Sequence, residues 1–150
     1  MMIHEQPLLQ ERGDPALPGT LHVLTYRMDS PASPPNDTLR YLLEPLPKGM
    51  FVHGVTSLWC LEKGRSALVL ERSWSKENGF LGRIYHADFT VTPSRKTLVS
   101  NLNAYNIRMD NYEGLTEGPR LPDGRRSLVM VSDDNFLDEQ KTLLVWFAME

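Results

Sequence analysis

Apolar residues in this chain occur in short runs, and each run is bounded by Gly, Pro, Asp or Asn. This pattern is typical of β-strands joined by turns. Residues 128–131 form an uninterrupted apolar run, which favours a strand buried on both faces, and the pair Asp123 and Gly124 ahead of it marks a tight turn. We therefore predict a core strand at 128–131 that is entered from a hairpin.

The same signals divide the rest of the chain. A proline-rich loop is expected at 29–37, a turn at 62–65 and a further loop at 73–80, because Pro and Gly interrupt regular pairing there. The remaining strands are predicted at 20–28, 37–46, 55–61, 66–72, 82–89, 97–102, from about 112 onward, and 143–149. The fold class that follows is all-β.

An internal repeat is visible when the sequence is shifted by 60 positions. The shift places Gly54, Thr56, Leu61, Gly64, Arg65, Leu68 and Val69 on Gly114, Thr116, Leu121, Gly124, Arg125, Leu128 and Val129. A repeated unit of antiparallel strands is the signature of a β-propeller blade. The repeat predicts a propeller-type array.

Length limits this array. A blade takes about 40 to 50 residues and a closed propeller about four to eight blades, so 150 residues hold about three blades. We predict a partial β-propeller over 20–150, as a single domain and a fragment of a longer propeller. Residues 1–19 are expected to be a mobile lead-in or a truncated blade edge. Uncovered blade faces predict self-association or blades supplied by another chain.

Composition narrows the function classes. The net charge of −3 does not indicate a nucleic-acid binder, and 41% hydrophobic residues is ordinary for a globular protein. Cys60 is the only cysteine, which excludes an internal disulfide and a thiolate metal site.

The first residues do not resemble a signal peptide, and the longest apolar run, 143–149, is too short for a membrane span. The cellular compartment stays open.

An acidic cluster follows the predicted core strand. Asp133, Asp134 and Asn135 leave that strand, and Asn111 and Glu113 lie near the start of the same repeat. Calcium takes six to eight oxygen ligands of these types, so the cluster predicts a calcium site. The alternative is that Asp and Asn at a strand exit bond to the backbone of their own turn.

Four residues are candidates for catalysis or substrate binding. Glu71 ends an apolar run, where burial raises the pKa of a carboxyl group and suits it to act as a general base; Glu113 is the other candidate for a catalytic carboxylate. Arg72 and Arg120 are candidates for binding an anionic substrate through the planar guanidinium group. The alternatives are that Glu71 and Arg72 point to opposite faces of a strand, and that Arg120 is simply solvated at a turn.

No nucleophile is evident in the sequence. There is no GxSxG motif, and the four histidines lack the spacing of a HExxH zinc site. Hydrolysis would then require a water activated by metal or by a carboxylate.

Two segments are similar to a known family. GVTSLWCLEKGRSALVLERSWS with GRIYHADF, and NYEGLTEGPRLPDGRRSLVMVSDDNF, resemble the C-terminal half of the phytase-like family, described by esterase-like activity of phytase. The resemblance covers about residues 47–150. It implies a β-propeller protein, often exported, that hydrolyses phosphate or other esters.

Two functions follow as hypotheses. The first is a hydrolase of a small anionic or ester substrate, in which calcium held near Glu113 and the acidic cluster activates water and Arg72 or a turn arginine binds the anion. The second is a non-catalytic binding or scaffold module, or a gene fragment whose site is incomplete because other blades are missing.

Overall fold

The computed structural model describes residues 1–26, 29, 35, 37–61 and 64–149, and these form almost no helix. Within the described ranges, short 3-10 helices lie at Leu9–Glu11 and Leu102–Ala104. The strands of the described residues are β1 Met2–Ile3, β2 Gly19–Thr25, β3 Asp37–Leu43, β4 Val52–Leu61, β5 Ser66–Ser75, β6 Gly79–Asp88, β7 Arg95–Asn101, β8 Tyr112–Gly118, β9 Ser127–Ser132 and β10 Leu144–Ala148. The predicted all-β class is confirmed.

These strands form three antiparallel sheets, each built from strands that follow one another in the chain. Sheet A has the order β1-β2-β3, sheet B the order β4-β5-β6-β7, and sheet C the order β8-β9-β10. Neighbouring strands in sequence are neighbours in space, as expected for strands joined by short turns.

Sheet B lies between the other two sheets. One core cluster joins it to sheet A and includes Leu21, Tyr41 and Val69. A second cluster joins it to sheet C and includes Leu70 and Met130. Successive side chains of a strand point to opposite faces, so β5 sends alternate residues into the two cores. This explains why its first six residues, 66–71, are all buried.

The predicted loop at 73–80 is wrong in most of its length. Ser73 to Ser75 continue β5, and β6 already begins at Gly79. Residues 76–78 alone make the turn, because Gly79 adopts a φ of +67° and the Ser75 hydroxyl accepts a hydrogen bond from the Asn78 amide. The extension matters because it places Ser73 in the sheet.

The turn predicted at Asp123 and Gly124 is confirmed. Gly124 has a φ of +85°, and its amide donates to the carbonyl of Leu121. The turn predicted at 62–65 falls partly, and the loop at 29–37 mostly, outside the described residues. Residues 27 and 28 of the first predicted strand also lie outside them.

The two predicted repeat units share strand order but not register. Gly54 pairs with Arg72, whereas Gly114 pairs with Val131, which corresponds to Glu71 under the shift of 60. The reason is that the β4–β5 pairing shifts between Val55 and Ser57, while the β8–β9 pairing shifts ahead of Gly114. A bulge adds one residue to one strand, so equal sequence spacing does not give equal pairing.

The face of sheet C that points away from sheet B is partly apolar and exposed. Leu144 and Trp146 are 77% and 57% exposed. Self-association stays a prediction. Among the described residues, no helix is both long and apolar enough to cross a membrane.

Candidate active site

Glu71 carries the most deeply buried charge among the described residues and lies on the face of β5 that points to sheet A. Its carboxyl group is 1% exposed. The Tyr41 hydroxyl donates to Glu71 Oε1 at 2.7 Å, and Lys96 Nζ donates to the same oxygen at 2.6 Å. Lys96 also lies 3.0 Å from Glu44 Oε1. Because β3, β5 and β7 each contribute one of these groups, the cluster links sheet A to sheet B.

Aromatic rings enclose the lysine. Lys96 Nζ lies 4.8 Å from the ring centre of Tyr41 and 4.5 Å from that of Tyr85. A cation over an aromatic face is stabilised by the negative charge of the ring face. The ammonium group is therefore held in place by its carboxylate partners and by both rings.

The predicted raised pKa of Glu71 is wrong. Burial alone raises it, but contacts with His53, Lys96 and Tyr41 outweigh burial and lower the pKa below its ordinary value of 4.5. Burial, and then the neighbouring Glu71 charge, raises the pKa of Tyr41, so its hydroxyl stays a neutral donor. Glu71 is consequently a fixed carboxylate.

His53 and Ser73 complete a line of polar groups on the same face. They are directly opposite each other on β4 and β5. Ser73 Oγ lies 2.8 Å from His53 Nδ1, and His53 Nε2 lies 3.2 Å from Glu71 Oε2. The second contact is an ion-pair distance without regular hydrogen-bond geometry. Because a carboxylate only accepts hydrogen bonds, the contact with Glu71 favours the His53 tautomer with its proton on Nε2. In that tautomer Nδ1 is free to accept a hydrogen bond from the Ser73 hydroxyl.

Ser73, His53 and Glu71 thus form a triad of hydroxyl, imidazole and carboxylate. In serine hydrolases the hydroxyl contacts Nε2 and the carboxylate contacts Nδ1. Here the two ring nitrogens exchange these roles, while the order of groups is kept. The arrangement combines a nucleophile, a base and a group that orients the base.

His53 is one of the residues that line a cavity of about 440 Å³, although its side chain is only 6% exposed. The cavity lies between the segment before β2, the end of β3 and the start of β4. Ser73 itself is 3% exposed. Of the triad, His53 is the residue found among those that line this cavity, and Ser73 and Glu71 lie behind it.

A second polar group lies on the opposite face of β5, which confirms the prediction that Glu71 and Arg72 diverge. Arg72 Nη2 lies 3.4 Å from Glu5 Oε1 and 3.8 Å from Glu113 Oε1. Asn111 Nδ2 donates to the same Glu113 oxygen at 2.9 Å. Three of the residues proposed from the sequence, Arg72, Glu113 and Asn111, are thus brought together. A second cavity, of about 430 Å³, is lined in part by Glu5 and Glu113.

The guanidinium group of Arg72 is surrounded by carboxylates. Burial lowers the pKa of Arg72, although Glu113 and Glu5 act in the opposite direction. Both carboxylates are within ion-pair distance of the same nitrogen. An anionic substrate at Arg72 would have to displace them.

The acidic cluster forms bonds within its own turn. The backbone amides of Asn135 and Phe136 donate to Asp133 Oδ1 and Asp134 Oδ1, at 3.0 and 2.9 Å. The Thr142 hydroxyl donates to the other Asp134 oxygen. These hydrogen bonds are the ones expected if the Asp and Asn side chains stabilise their own turn and bind no metal.

Calcium at this cluster stays a prediction. Asn111 Oδ1 is buried and has no hydrogen-bond partner, and the amide of Asp133 donates to the Asn111 carbonyl. Within the part of the chain that the structure describes, no group of three or more His, Cys, Asp or Glu side chains is placed to hold a metal ion. Amide and carbonyl oxygens would have to supply most of the ligands.

Arg120 lies in the loop between β8 and β9. Its Nη1 donates to the carbonyl of Gly124 at 3.0 Å, which closes the turn. No hydrogen bond or ion pair between described residues joins it to Glu71, Arg72 or Glu113. Substrate binding by Arg120 stays a prediction.

The contact between His53 and Ser73 was missed in the sequence. The two residues are 20 positions apart, and Ser73 lay in a predicted loop. The sequence signal for this contact is the hairpin turn at Gly64. Two strands joined by a hairpin place residues before the turn opposite residues after it, which brings His53 opposite Ser73. Placing Ser73 opposite His53 requires that β5 extend past residue 72, to Ser75.

A sequence profile of the phytase-like family, described as esterase-like activity of phytase, matches residues 1–136. The chain belongs to the phytase-like family. The match begins before residue 47 and ends before residue 150, so it differs in extent from the resemblance seen in the sequence. No curated protein and no solved structure matches this phytase-like chain. The family description supports an esterase-like hydrolase at the level of the family alone.

Proposed function

We propose that this chain hydrolyses esters at the triad of Ser73, His53 and Glu71. The observation that supports this most is the 2.8 Å contact between Ser73 Oγ and His53 Nδ1, with the Glu71 carboxylate behind the ring. A hydroxyl is a weak nucleophile unless an adjacent base takes its proton. The family description, esterase-like activity of phytase, is the second support.

The first step forms an acyl-enzyme. Ser73 Oγ attacks the carbonyl carbon of an ester, and His53 Nδ1 takes the hydroxyl proton. The tetrahedral intermediate then breaks its bond to the alcohol oxygen, and His53 returns the proton to that oxygen. Glu71 is a positioning residue in this scheme, because its negative charge favours the imidazolium that forms.

The second step restores the enzyme. Water attacks the acyl carbon, His53 accepts one proton from that water, and the bond to Ser73 Oγ breaks as the proton passes to the serine oxygen. The acid is released. Lys96 and Tyr41 keep the Glu71 carboxylate fixed through both steps, since each donates to Oε1 and leaves Oε2 towards His53.

The test is hydrolysis of p-nitrophenyl acetate by the full chain and by Ser73→Ala. We expect the variant to lose activity by at least about a thousandfold, because loss of a triad nucleophile leaves only residual catalysis. Ser66→Ala is the matched control: Ser66 is buried on the same strand and its hydroxyl has no hydrogen-bond partner. Circular dichroism checks that both variants fold.

A second measurement identifies the nucleophile directly. A fluorophosphonate probe should label Ser73, and peptide mass spectrometry locates the label. Label on another serine, or full activity of Ser73→Ala, would overturn the proposal. A chain that folds, hydrolyses no ester and takes no label would favour the non-catalytic module or incomplete fragment.

We also propose that sheets A, B and C are consecutive blades of a propeller. Their first strands lie beside one another: the Val55 amide of β4 donates to the Glu5 carbonyl just after β1, and the Thr56 hydroxyl donates to the Tyr112 carbonyl of β8. Adjacent first strands are expected where blades surround an axis. His53 and Glu113 would then lie near that axis.

Calcium binding by Asp133, Asp134, Asn135 and Asn111 is a separate proposal. Its support is the buried, unpartnered Oδ1 of Asn111. Bound there, calcium would supply charge neutralisation to an anionic substrate or stability to the loop. The triad scheme takes no step through it.

A further inference from the structure

The wall of the cavity at His53 carries more carboxylates than arginine or lysine side chains among the described residues. Three carboxylates, Glu11, Asp14 and Glu44, line it, and Arg12 is the only arginine or lysine among its lining residues. Sites that bind phosphate groups use clusters of arginine and lysine or backbone amides. Among the lining residues of this cavity, carboxylates thus outnumber Arg and Lys, although Glu11 lies 2.8 Å from His22 Nε2 and Glu44 lies 3.0 Å from Lys96 Nζ.

The cations near the cavity are already engaged. Arg12 donates to the Pro7 carbonyl and to Gln6 Oε1, at 3.3 and 3.0 Å. Lys96 contacts Glu71 and Glu44 and is covered by two tyrosine rings. An incoming phosphate would have to break these contacts and approach like charges at the same time, which is unfavourable.

The remaining lining is largely apolar. It includes Leu17, Pro18, Leu46 and Phe51, and the Phe51 ring is 81% exposed. A cavity of about 440 Å³ is at the small end of the range for small-molecule sites, roughly 300 to 1,000 Å³. It therefore suits a ligand with a short apolar group.

We propose that the triad acts on small carboxylic esters that are neutral or positively charged, and that it discriminates against phosphate esters and other polyanions. This inference rests on the proposed ester hydrolysis at Ser73. It assigns the carboxylates Glu11 and Asp14 the role of setting substrate charge preference.

The experiment compares four substrates at equal concentration: p-nitrophenyl acetate, the cationic ester acetylthiocholine, the anionic p-nitrophenyl hemisuccinate and p-nitrophenyl phosphate. Phosphate release from phytate is measured in parallel, with and without calcium. We expect hydrolysis of the first two, at least about tenfold slower hydrolysis of the hemisuccinate, and no release of phosphate.

The double variant Glu11→Gln and Asp14→Asn tests the role of charge. The amide of Asn keeps an oxygen that can accept from the Ala16 amide, as Asp14 does now, and the amide of Gln keeps an oxygen that can contact His22 Nε2, as Glu11 does now. We expect kcat/KM for the cationic ester, relative to the anionic one, to fall about threefold to tenfold, since exposed charge pairs contribute modestly. Glu77→Gln and Asp138→Asn, on exposed turns away from the cavity, are the control pair.

The two proposals fail in different ways. If no ester is hydrolysed in a manner that depends on Ser73, the proposed function itself is wrong. If hydrolysis depends on Ser73 but favours the anionic ester or a phosphate ester, only the inference on substrate charge is overturned. An unchanged preference in the double variant would also overturn it.

Discussion

At the scale of single residues, Glu71 is the side chain on which the most other groups depend. A buried carboxylate is tolerated only when charges and hydrogen bonds replace its lost hydration. Lys96, Tyr41 and His53 do so here, and they come from β7, β3 and β4. The sequence indicated the burial of Glu71 from its apolar run, but it did not indicate these partners, because they are distant along the chain.

The pKa of Glu71 gives a pH dependence of stability. Its folded value is lower than the unfolded value of about 4.5, so the unfolded chain binds more protons near that pH. The stabilisation is complete above about pH 4.5 and is lost as pH falls through the folded pKa. We expect the stability difference between the native chain and Glu71→Gln to be constant above pH 5 and to shrink below pH 4.5, measured by urea unfolding.

Glu77→Gln serves as the control for this pH series, because that carboxylate lies in an exposed turn. Its unfolding curves should follow those of the native chain at every pH. A Glu71→Gln difference that stays constant down to pH 3 would show that the carboxylate is not a low-pKa group.

Lys96→Met removes the cation and keeps the length of the side chain. We expect a loss of roughly 3 to 5 kcal/mol in unfolding free energy, because Glu71 remains as an uncompensated buried charge. The double variant Lys96→Met with Glu71→Gln should lose less than the sum of the single variants, since the two residues interact directly. Additive losses in the double-mutant cycle would contradict the ion pair.

At the scale of elements, the decisive feature is where strands end and how they pair. The period of apolar residues was sufficient to predict most strands, and the core strand at 128–131 lies within β9. It was insufficient for the end of β5, since Ser73, Trp74 and Ser75 resemble a loop. Bulges in β4 and β8 also cannot be derived from apolar periodicity, and they set which side chains face each other.

Gly54 illustrates a contact between elements. A Cβ atom at this position would lie 2.6 Å from the carbonyl oxygen of Glu5, which accepts the hydrogen bond from Val55. We expect Gly54→Ala to lower the unfolding free energy by about 1 to 3 kcal/mol by displacing the N-terminal segment from β4.

Gly13→Ala is the matched control for this change, because nothing lies within 4 Å of a Cβ atom there and its φ is not in the left-handed region. It should stay within about 0.5 kcal/mol of the native chain. Equal effects of the two substitutions in urea unfolding would mean that the segment before β2 does not pack on β4.

At the scale of the whole molecule, sheet B is covered on both faces while sheets A and C each have an outer face. The sequence predicted about three successive units of antiparallel strands, and three antiparallel sheets are present in the described residues, whereas the internal repeat and the propeller stay predictions. It did not predict that the triad lies between sheets A and B, because that requires the register of β4 on β5 and the packing of β3 over both.

Calcium binding is tested on the whole chain by thermal unfolding. If the acidic cluster binds calcium in the folded state only, calcium raises the melting temperature, and Asp133→Asn reduces this rise. The Asn side chain can still accept the turn bond from Asn135, so stability without calcium should be nearly unchanged. An equal rise in melting temperature in Asp133→Asn, or no rise in the native chain, would mean that the cluster stabilises its turn and does not bind calcium.

The position of β5 has a consequence for how the chain opens. Its backbone pairs with β4 on one side and β6 on the other, and core clusters cover both faces. Its amide hydrogens can therefore exchange with solvent only when sheet B opens between its covered faces, whereas those of the outer strands β7 and β10 exchange through local opening. Deuterium uptake by a peptide from residues 66–71 thus measures how stably the two core clusters hold sheet B closed.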